Sequence, residues 1–253
     1  MRRFYIEPAN MSAADVEIRG DDARHIRNVL RMTAGDHVIL FDGTGEEHEA
    51  KITAVSGDAV SVRVVKRFSA SLESPLNLAV AQGLLKDKKM DGLIRHLTEL
   101  GMTRWVPFQA DRSIPIQDEK KRRAHGERWE KIAREALKQC GRSRPPQVGS
   151  VVSFADMITA AEGYSLKLFF WEQADAGLPG RPASEKAGPL SVFTVLGPEG
   201  GFNEHEAARA ADAGFAIVSL GPRILRAETA ALAACALVQY RYGDMADGRP
   251  KTP

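Results

Sequence analysis

The sequence predicts an α/β protein in two parts, a small β-rich module at the N-terminus and a larger domain with a mostly parallel sheet. Residues 1–67 contain short runs rich in Val, Ile and Phe that are separated by turn-forming residues. From residue 76 onwards, strand-like and helix-like segments alternate, which is typical of a parallel sheet covered by helices on both faces. Two glycine-rich loops, each directly after a short apolar run, lie within this second part.

The N-terminal module is predicted to be a small β-barrel interrupted by one helix. Its strands are expected at residues 3–6, 38–42, 49–55 and 59–66. Asp42-Gly43 and Gly57-Asp58 supply turns between them. The helix is expected from about residue 21 to residue 31, with Ile26, Val29 and Leu30 on its apolar face. Residues 68–75 lack periodicity and end in proline, so we expect a linker there.

The second domain is predicted from alternating strands and helices. Its strands are expected at residues 76–81, 105–108, 166–171, 191–196 and 215–220. Its longer helices are expected at residues 87–101, 119–140 and 228–242. Asn203 and Glu206 form a capping pair that predicts a further helix after the first glycine loop. Residues 244–253 are expected to be a frayed tail.

Composition excludes several classes of protein. The chain of 253 residues has two cysteines, Cys140 and Cys235, which are too few for a disulfide or zinc framework and indicate a reducing compartment. Its six histidines show no metal-ligand spacing, so we expect no metal. The first residues lack the apolar stretch of a signal peptide. No segment approaches the ~20 apolar residues of a membrane span. We therefore expect a cytoplasmic location and no membrane partner.

Charge is unevenly distributed along the chain. Between Gln82 and Arg144 the net charge is +7, whereas the rest of the chain carries −5. Four cations of the second helix fall at helical spacing on one face, and three lysines open the helix before it: Lys131, Arg134, Lys138 and Arg142, then Lys86, Lys88 and Lys89. Because cations are unfavourable at a helix N-terminus, an external anion would explain the three lysines there. A surface that binds a polyanion and an ordinary solvated surface both explain this block.

The first glycine loop has the sequence Gly-Pro-Glu-Gly-Gly at residues 197–201. No Lys-Ser/Thr pair follows its glycines, so it is not a P-loop, and its spacing differs from the dinucleotide fingerprint. It ends at a predicted helix N-terminus, which suits a carboxylate or phosphate. A tight turn without a ligand is the alternative explanation.

The second glycine loop, residues 220–229, places Arg223 and Arg226 beside apolar residues. Apolar side chains and free backbone amides suit an adenine ring, and arginines suit an anion. Alternatively, both arginines form surface salt bridges with Glu228 or Glu199. Two such loops at neighbouring strand ends favour a nucleotide-like ligand.

Several segments together resemble the ribosomal RNA small subunit methyltransferase E family of the SPOUT superfamily. They are Gln-Gly-Leu-Leu-Lys-Asp-Lys-Lys-Met at 82–90, Thr-Glu-Leu-Gly at 98–101, Asp-Arg-Ser at 111–113, Gln-Cys-Gly-Arg at 139–142, Gly-Pro-Glu-Gly-Gly at 197–201 and Leu-Gly-Pro-Arg-Ile-Leu-Arg-Ala-Glu-Thr-Ala at 220–230. The likeness covers essentially the whole chain, including Arg3-Phe4 near its start. The last two segments in combination are highly specific.

The resemblance implies a PUA-like RNA-binding barrel in residues 1–70 and a SPOUT domain in residues 75–243. A deep trefoil knot that binds S-adenosylmethionine is implied at about residues 194–235, with a flexible tail at 244–253. The implied activity is methylation of N3 of a uridine in 16S rRNA, with naked rRNA or the assembled 30S subunit as substrate. A homodimer is also implied. The alanine-rich helix at 228–242 fits a subunit interface, although burial within the domain explains its alanines equally well.

These arguments define three sets of candidate residues. The cofactor set is Leu196, Gly197, Pro198, Glu199, Gly200, Gly201, Leu220, Gly221, Arg223, Ile224, Leu225, Arg226, Glu228 and Thr229. The RNA set is Arg3, Lys86, Lys88, Lys89, Arg112, Lys131, Arg134, Lys138 and Arg142. Because uridine N3 carries a proton at neutral pH, Arg226 is the candidate cation that stabilises the uridinate, and Glu199 the candidate base.

Two other functions compete with this interpretation. A non-catalytic RNA-binding protein explains the basic block but leaves both glycine loops without a role. A nucleotide-dependent oxidoreductase is disfavoured by the spacing of the glycines.

Overall fold

The computed structural model describes residues 1–11, 14–70, 72–114, 118–182 and 190–246. The chain divides into two compact units. The first unit is Met1–Glu73 together with Arg134–Pro145, and the second is Ser74–Ala133 together with the chain from Pro146 onwards. The change of unit near Glu73 lies within the expected linker. The segment Arg134–Pro145, in contrast, was expected to belong to the second domain.

The first unit contains a five-stranded sheet with the strand order β1-β3-β4-β5-β2. Its strands are β1 Arg2–Tyr5, β2 Asp15–Arg19, β3 His37–Phe41, β4 Glu46–Ser56 and β5 Ala59–Ser69. β1 pairs with β3 in parallel, and the other pairs are antiparallel. β2 is absent from the strands expected in this part of the chain, although its buried Val16 and Ile18 alternate with exposed charged residues as a half-buried strand requires.

The helix of the first unit differs in type from the expected one. Helix α1, Gly20–Arg24, continues as a π-helix over His25–Leu30 and ends at Arg31, whose φ is +52°. Ile26 is buried as expected, but Val29 is 66% exposed rather than on an apolar face. A π-helix has a wider turn than an α-helix, so residues after His25 rotate away from the face that α-helical spacing assigns to them.

The second unit contains a parallel sheet with the order β12-β10-β11-β6-β7-β8, and β9 also pairs with β7. Its strands are β6 Asn77–Gly83, β7 Arg104–Gln109, β8 Gln147–Val148, β9 Val152–Ser153, β10 Leu166–Phe170, β11 Ser191–Leu196 and β12 Ala216–Val218. β6, β7, β10 and β11 match the expected strands to within two residues at each end, whereas β12 covers three of the six residues expected at 215–220. β8 and β9 are two residues each, too short for a hydrophobic period to reveal.

The helices of the second unit connect these strands. They are α2 Lys89–Glu99, α3 Glu119–Cys140, α4 Phe154–Ala160, α5 Glu204–Asp212 and α6 Ala227–Tyr242, and the last part of α3 belongs to the first unit. The capping box of Asn203 and Glu206 is present at α5. Helix α2 begins two residues later than expected because Asp87 has a φ of +57°, in the left-handed region. The short helix α4 was not predicted.

The sheet of the second unit is buried on both faces. Leu78 and Val80 of β6 lie in one apolar cluster, whereas Ala79 and Ala81 lie in another. This division follows from the alternation of side chains along a strand. Within the described ranges, no helix combines the length and the apolar character needed to cross a membrane.

Candidate functional site

A cavity of about 500 Å³ lies in the second unit at the carboxyl ends of three adjacent strands. The strands are β12, β10 and β11, which end at Val218, Phe170 and Leu196. Ligands of open parallel sheets bind at this edge. The volume falls within the range of about 300–1,000 Å³ that is usual for small-molecule sites.

The cavity brings together the two glycine loops. Every residue of the predicted cofactor set lines it except Thr229, which is exposed beside it. We expected the two loops to follow neighbouring strands. They do not, because β10 lies between β11 and β12. The chain after β10 therefore forms a third wall that the sequence analysis did not identify, made of Phe170, Trp171 and Glu172. The predicted strand at residues 166–171 could have indicated this wall, because ligands bind where such strands end.

The first loop is fixed against the end of β6. The Gln82 side chain donates a hydrogen bond from Nε2 to the carbonyl oxygen of Gly197 at 2.8 Å. A β-carbon on Gly83 would lie 2.8 Å from the ring of Pro198, so only glycine permits this approach. Trp171 Nε1 donates to the Phe202 carbonyl at 3.4 Å. The loop is thus bonded on two sides.

The second loop presents its backbone and two arginines to the cavity. Gly221 has a φ of +100°, and a β-carbon there would meet no atom within 4 Å, so this side of the backbone faces open space. Arg223 and Arg226 both line the cavity. Among the residues that the structure describes, neither arginine is paired with a carboxylate. The surface salt bridges considered as the alternative are therefore not formed, and both guanidinium groups remain available to a ligand.

Lys89 pairs with the two carboxylates that the arginines leave unpaired. Its Nζ lies 3.0 Å from Glu199 Oε1 and 3.6 Å from Glu228 Oε2. Glu199 Oε1 also accepts a hydrogen bond from the Lys86 amide at 3.1 Å. Burial raises the pKa of Glu199, but the hydrogen bonds from Lys89, from the Lys86 amide and from the Glu199 backbone, together with the charge of Lys89, hold the pKa below its ordinary value. The hydrogen bond to Glu199 in turn raises the pKa of Lys89.

Comparison with known proteins identifies the family. Residues 72–239 match a family model described as an RNA methyltransferase domain, and residues 18–65 match an RNA methyltransferase PUA domain. Ribosomal RNA small subunit methyltransferase E of Bacillus subtilis is 34% identical, over 95% of this chain and 97% of the relative. The chain belongs to the ribosomal RNA small subunit methyltransferase E family.

Solved structures of this family share the fold. A ribosomal RNA small subunit methyltransferase E from Neisseria gonorrhoeae, bound to S-adenosylmethionine, is 31% identical with a TM-score of 0.84, over 97% of this chain and 99% of that one. A methyltransferase from Legionella pneumophila, also with this cofactor, is 30% identical with a TM-score of 0.86, over 96% and 98% of the two chains. Both comparisons cover the PUA domain and the α/β domain.

Four cations that we expected to contact RNA are paired with carboxylates within the first unit. Arg3 Nη1 lies 2.8 Å from Glu47 Oε1, and Arg142 Nε lies 2.9 Å from Glu73 Oε2. Arg134 Nη1 lies 3.3 Å from Glu7, and Lys138 Nζ 2.8 Å from Asp22. The side chains of Arg3 and Arg142 are only 14% and 5% exposed. These pairs explain why Arg134–Pro145 joins the first unit.

The other candidate RNA contacts lie in the second unit. Lys86, Lys88, Arg112 and Lys131 are exposed. Arg112 donates from Nη1 to the carbonyl oxygen of Gly200 at 3.0 Å, so it supports the first glycine loop. Lys89 lines the cavity instead of an outer surface. Within the described ranges, no group of three or more His, Cys, Asp or Glu side chains is arranged to hold a metal ion.

Proposed function

We propose that this chain transfers a methyl group from S-adenosylmethionine to N3 of a uridine in 16S rRNA of the small ribosomal subunit. The observation that carries the proposal is the cavity at three strand ends, lined by both glycine loops, in a chain whose family model is that of an RNA methyltransferase domain. A cytoplasmic location follows from this substrate.

The lining of the cavity fits this cofactor. Leu196, Leu220 and Leu225 offer apolar surface for an adenine ring. The carboxylate of Glu172, which has no cation partner among the described residues, provides negative charge suited to a sulfonium or an ammonium group. At Gly221 the backbone faces open space without an intervening β-carbon, which permits close approach of a ligand.

We propose that the whole predicted cofactor set serves the cofactor, with Thr229 at its edge, and we add Glu172 to it. Glu172 follows β10 directly and lines the cavity. In the part of the chain that the structure describes, its carboxylate accepts no hydrogen bond from another residue. An unbonded carboxylate at a strand end is suited to accept hydrogen bonds from ribose hydroxyls or an ammonium group.

Arg226 is the residue that we propose to stabilise the reacting uridine. S-adenosylmethionine supplies a methyl group on a positively charged sulfur. For N3 of uridine to accept it, the N3 proton must leave, and negative charge then spreads over the base. Arg226 lies directly before α6, lines the cavity and has no carboxylate partner among the described residues. In this proposal its guanidinium group binds the uridinate oxygens as charge develops.

The N3 proton needs an acceptor, for which Glu199 was the sequence-based candidate. A base must hold a free lone pair and a pKa close to the working pH. Glu199 Oε1 already accepts two hydrogen bonds, and its pKa lies below the ordinary value. Both features reduce its affinity for a proton. We therefore propose that water takes the proton and that Glu199 serves the structure of the site.

For RNA binding we propose two contributions. The PUA-like domain, proposed at residues 1–70, recognises RNA, and exposed cations of the domain proposed at residues 75–243 contact phosphates. Lys86, Lys88 and Lys131 are exposed and suited to this role. Arg3, Arg134, Lys138 and Arg142 reach phosphates only at the cost of the ion pairs described above. We also propose a trefoil knot at about residues 194–235 and a homodimer. Residues 247–253 of the expected tail lie outside the described ranges.

A ligand-binding experiment separates this function from the competing ones. The purified chain is titrated by calorimetry with S-adenosylmethionine, NAD and ATP in turn. We expect saturable binding of S-adenosylmethionine and none of the other two at the same concentrations. Binding of NAD alone would support an oxidoreductase, and binding of none of the three would support a non-catalytic RNA-binding protein.

A further inference from the structure

Lys89 lies at the first residue of α2, outside both glycine loops, yet it contacts both. Its ammonium group is 3.0 Å from Glu199 of the first loop and 3.6 Å from Glu228, which lies in the first turn of α6. The Lys89 side chain is 36% exposed and lines the cavity. One cation therefore bridges the two segments that enclose the proposed cofactor site.

The connection between β6 and α2 supports the first loop at further points. Gln82 bonds the Gly197 carbonyl, Gly83 packs against Pro198, and the Lys86 amide bonds Glu199. None of these contacts reaches the second loop. Lys89, which directly follows this connection, pairs with Glu228 of the second loop as well.

Removing the Lys89 charge would leave two carboxylates facing one cavity without a counter-ion from this connection. Glu228 Oε2 is buried and has no hydrogen-bond partner among the described residues, so the ion pair with Lys89 is the favourable interaction it has. Two unneutralised carboxylates repel each other, which favours separation of the loops that carry them. The cavity would then lose the spacing that a ligand of fixed size needs.

We propose that Lys89 is a positioning residue that holds the two glycine loops at the spacing required for S-adenosylmethionine. This inference rests on the proposed function, because it assumes that the cofactor binds in this cavity. It assigns Lys89 to the cofactor site rather than to RNA contact. Ion pairs of partly exposed groups are weak, so we expect the loss of both pairs to lower the affinity only about five- to tenfold.

The test compares three full-length variants with the unmodified chain. Lys89→Met removes the charge and keeps the length of the side chain, Lys89→Arg restores the charge, and Lys88→Met is the matched control. Lys88 is exposed, and no ion pair to its side chain is present in the described ranges. We expect Lys89→Met to raise the Kd for S-adenosylmethionine by about five- to tenfold, Lys89→Arg to restore most of it, and Lys88→Met to leave it unchanged.

Kinetics distinguish positioning from RNA contact. We expect Lys89→Met to raise KM for S-adenosylmethionine while KM for 16S rRNA stays the same. Two results would overturn the inference: unchanged cofactor affinity in Lys89→Met, or a loss of affinity confined to RNA. If the unmodified chain itself fails to bind S-adenosylmethionine, the proposed function fails as well, so the two failures are separable.

Discussion

Glu172 and Gly201 meet on the wall of the cavity, where a β-carbon added to Gly201 would lie 2.6 Å from Oε1 of Glu172. The two residues come from different strand ends, after β10 and after β11. Gly201 also has a φ of +66°, which side chains with a β-carbon adopt at a cost. Glycine is therefore favoured at this position by its conformation, and a β-carbon would in addition displace the end of the exposed Glu172 side chain.

We predict that Gly201→Val weakens cofactor binding. The left-handed conformation costs a residue with a β-carbon about 1–3 kcal/mol, and the new side chain must also displace Glu172. Titration calorimetry with S-adenosylmethionine should show at least about a tenfold higher Kd. Gly92→Ala is the control, because Gly92 lies within α2 and a β-carbon there meets no atom within 4 Å. That variant should bind normally and unfold at a slightly higher temperature. Equal affinity in the two variants would refute the placement of the cofactor.

Arg226→Ala is predicted to impair the chemical step more than binding. If Arg226 stabilises the uridinate, its removal should lower kcat by about 10²-fold or more, as loss of an oxyanion donor does. The Kd for RNA should stay close to that of the unmodified chain. Arg223→Ala, a second unpaired arginine of the same loop, is the control. A kcat that falls equally in both variants would show that Arg226 has no special role.

Lys120 and Lys121 are predicted to contact RNA phosphates. They lie at the start of α3, both are exposed, and within the described ranges no carboxylate pairs with their ammonium groups. Replacing both by Glu should weaken RNA binding at every sequence and reduce the slope of log K against log salt by about 1 per lost contact. Lys138→Met serves as a contrast. Because Lys138 pairs with Asp22, this variant should lower the stability of the fold and leave RNA binding unchanged. An unchanged salt slope in the double variant would mean that this surface is merely solvated.

The dimer proposal now rests on different residues of α6 from those that the sequence indicated. Ala234 is fully buried in the apolar cluster of the second unit, so this alanine packs within the domain and not at a subunit interface. Leu237 and Tyr240 are 45% and 63% exposed on the same helix. We expect the unmodified chain to sediment as a dimer and Leu237→Glu as a folded monomer. A monomer in the unmodified chain at micromolar concentration would contradict the proposal.

His48 predicts a loss of stability in acid. Its ring is buried in the first unit with no hydrogen-bond partner for either nitrogen among the described residues. Burial, followed by the charge of Arg67, lowers its pKa below the ordinary 6.5, although Asp42 and Glu46 act in the opposite direction. Below pH 6.5 the unfolded chain takes up a proton that the folded chain resists, so stability decreases as pH falls. Urea unfolding at pH 7 and pH 5 should show a smaller difference in His48→Gln than in the unmodified chain, and an equal difference would exclude His48 as the cause.

The sequence predicted the elements of the second unit well because their signals are local. The helix at residues 119–140 has the bounds that its apolar stripe indicates, and the capping box at Asn203 is present. Both glycine loops line one cavity because strands of a parallel sheet end at the same edge. What a linear pattern lacks is pairing between distant segments. The position of β10 between the two loop-bearing strands, which brings Glu172 to the site, depends on strand order.

The same limit explains the revised roles of the charged residues. The spacing of Arg134 and Lys138 shows that they share a helix face, but not that Glu7 and Asp22 lie opposite them. Lys89 looked like a surface cation at a helix start, and only the folded chain brings Glu199 and Glu228 to it. Charge patterns therefore show where cations are concentrated along the chain but not which of them are already paired.

The measurement that tests the central claim most directly is identification of the methylated product. The purified chain is incubated with methyl-labelled S-adenosylmethionine and either naked 16S rRNA or 30S particles that lack the modification. The RNA is then digested to nucleosides, which are separated and identified by mass. We predict label in 3-methyluridine and in no other nucleoside, and the more active substrate of the two shows the stage at which the enzyme acts. Absence of label from both substrates, or label on a ribose or another base, would contradict the proposed reaction.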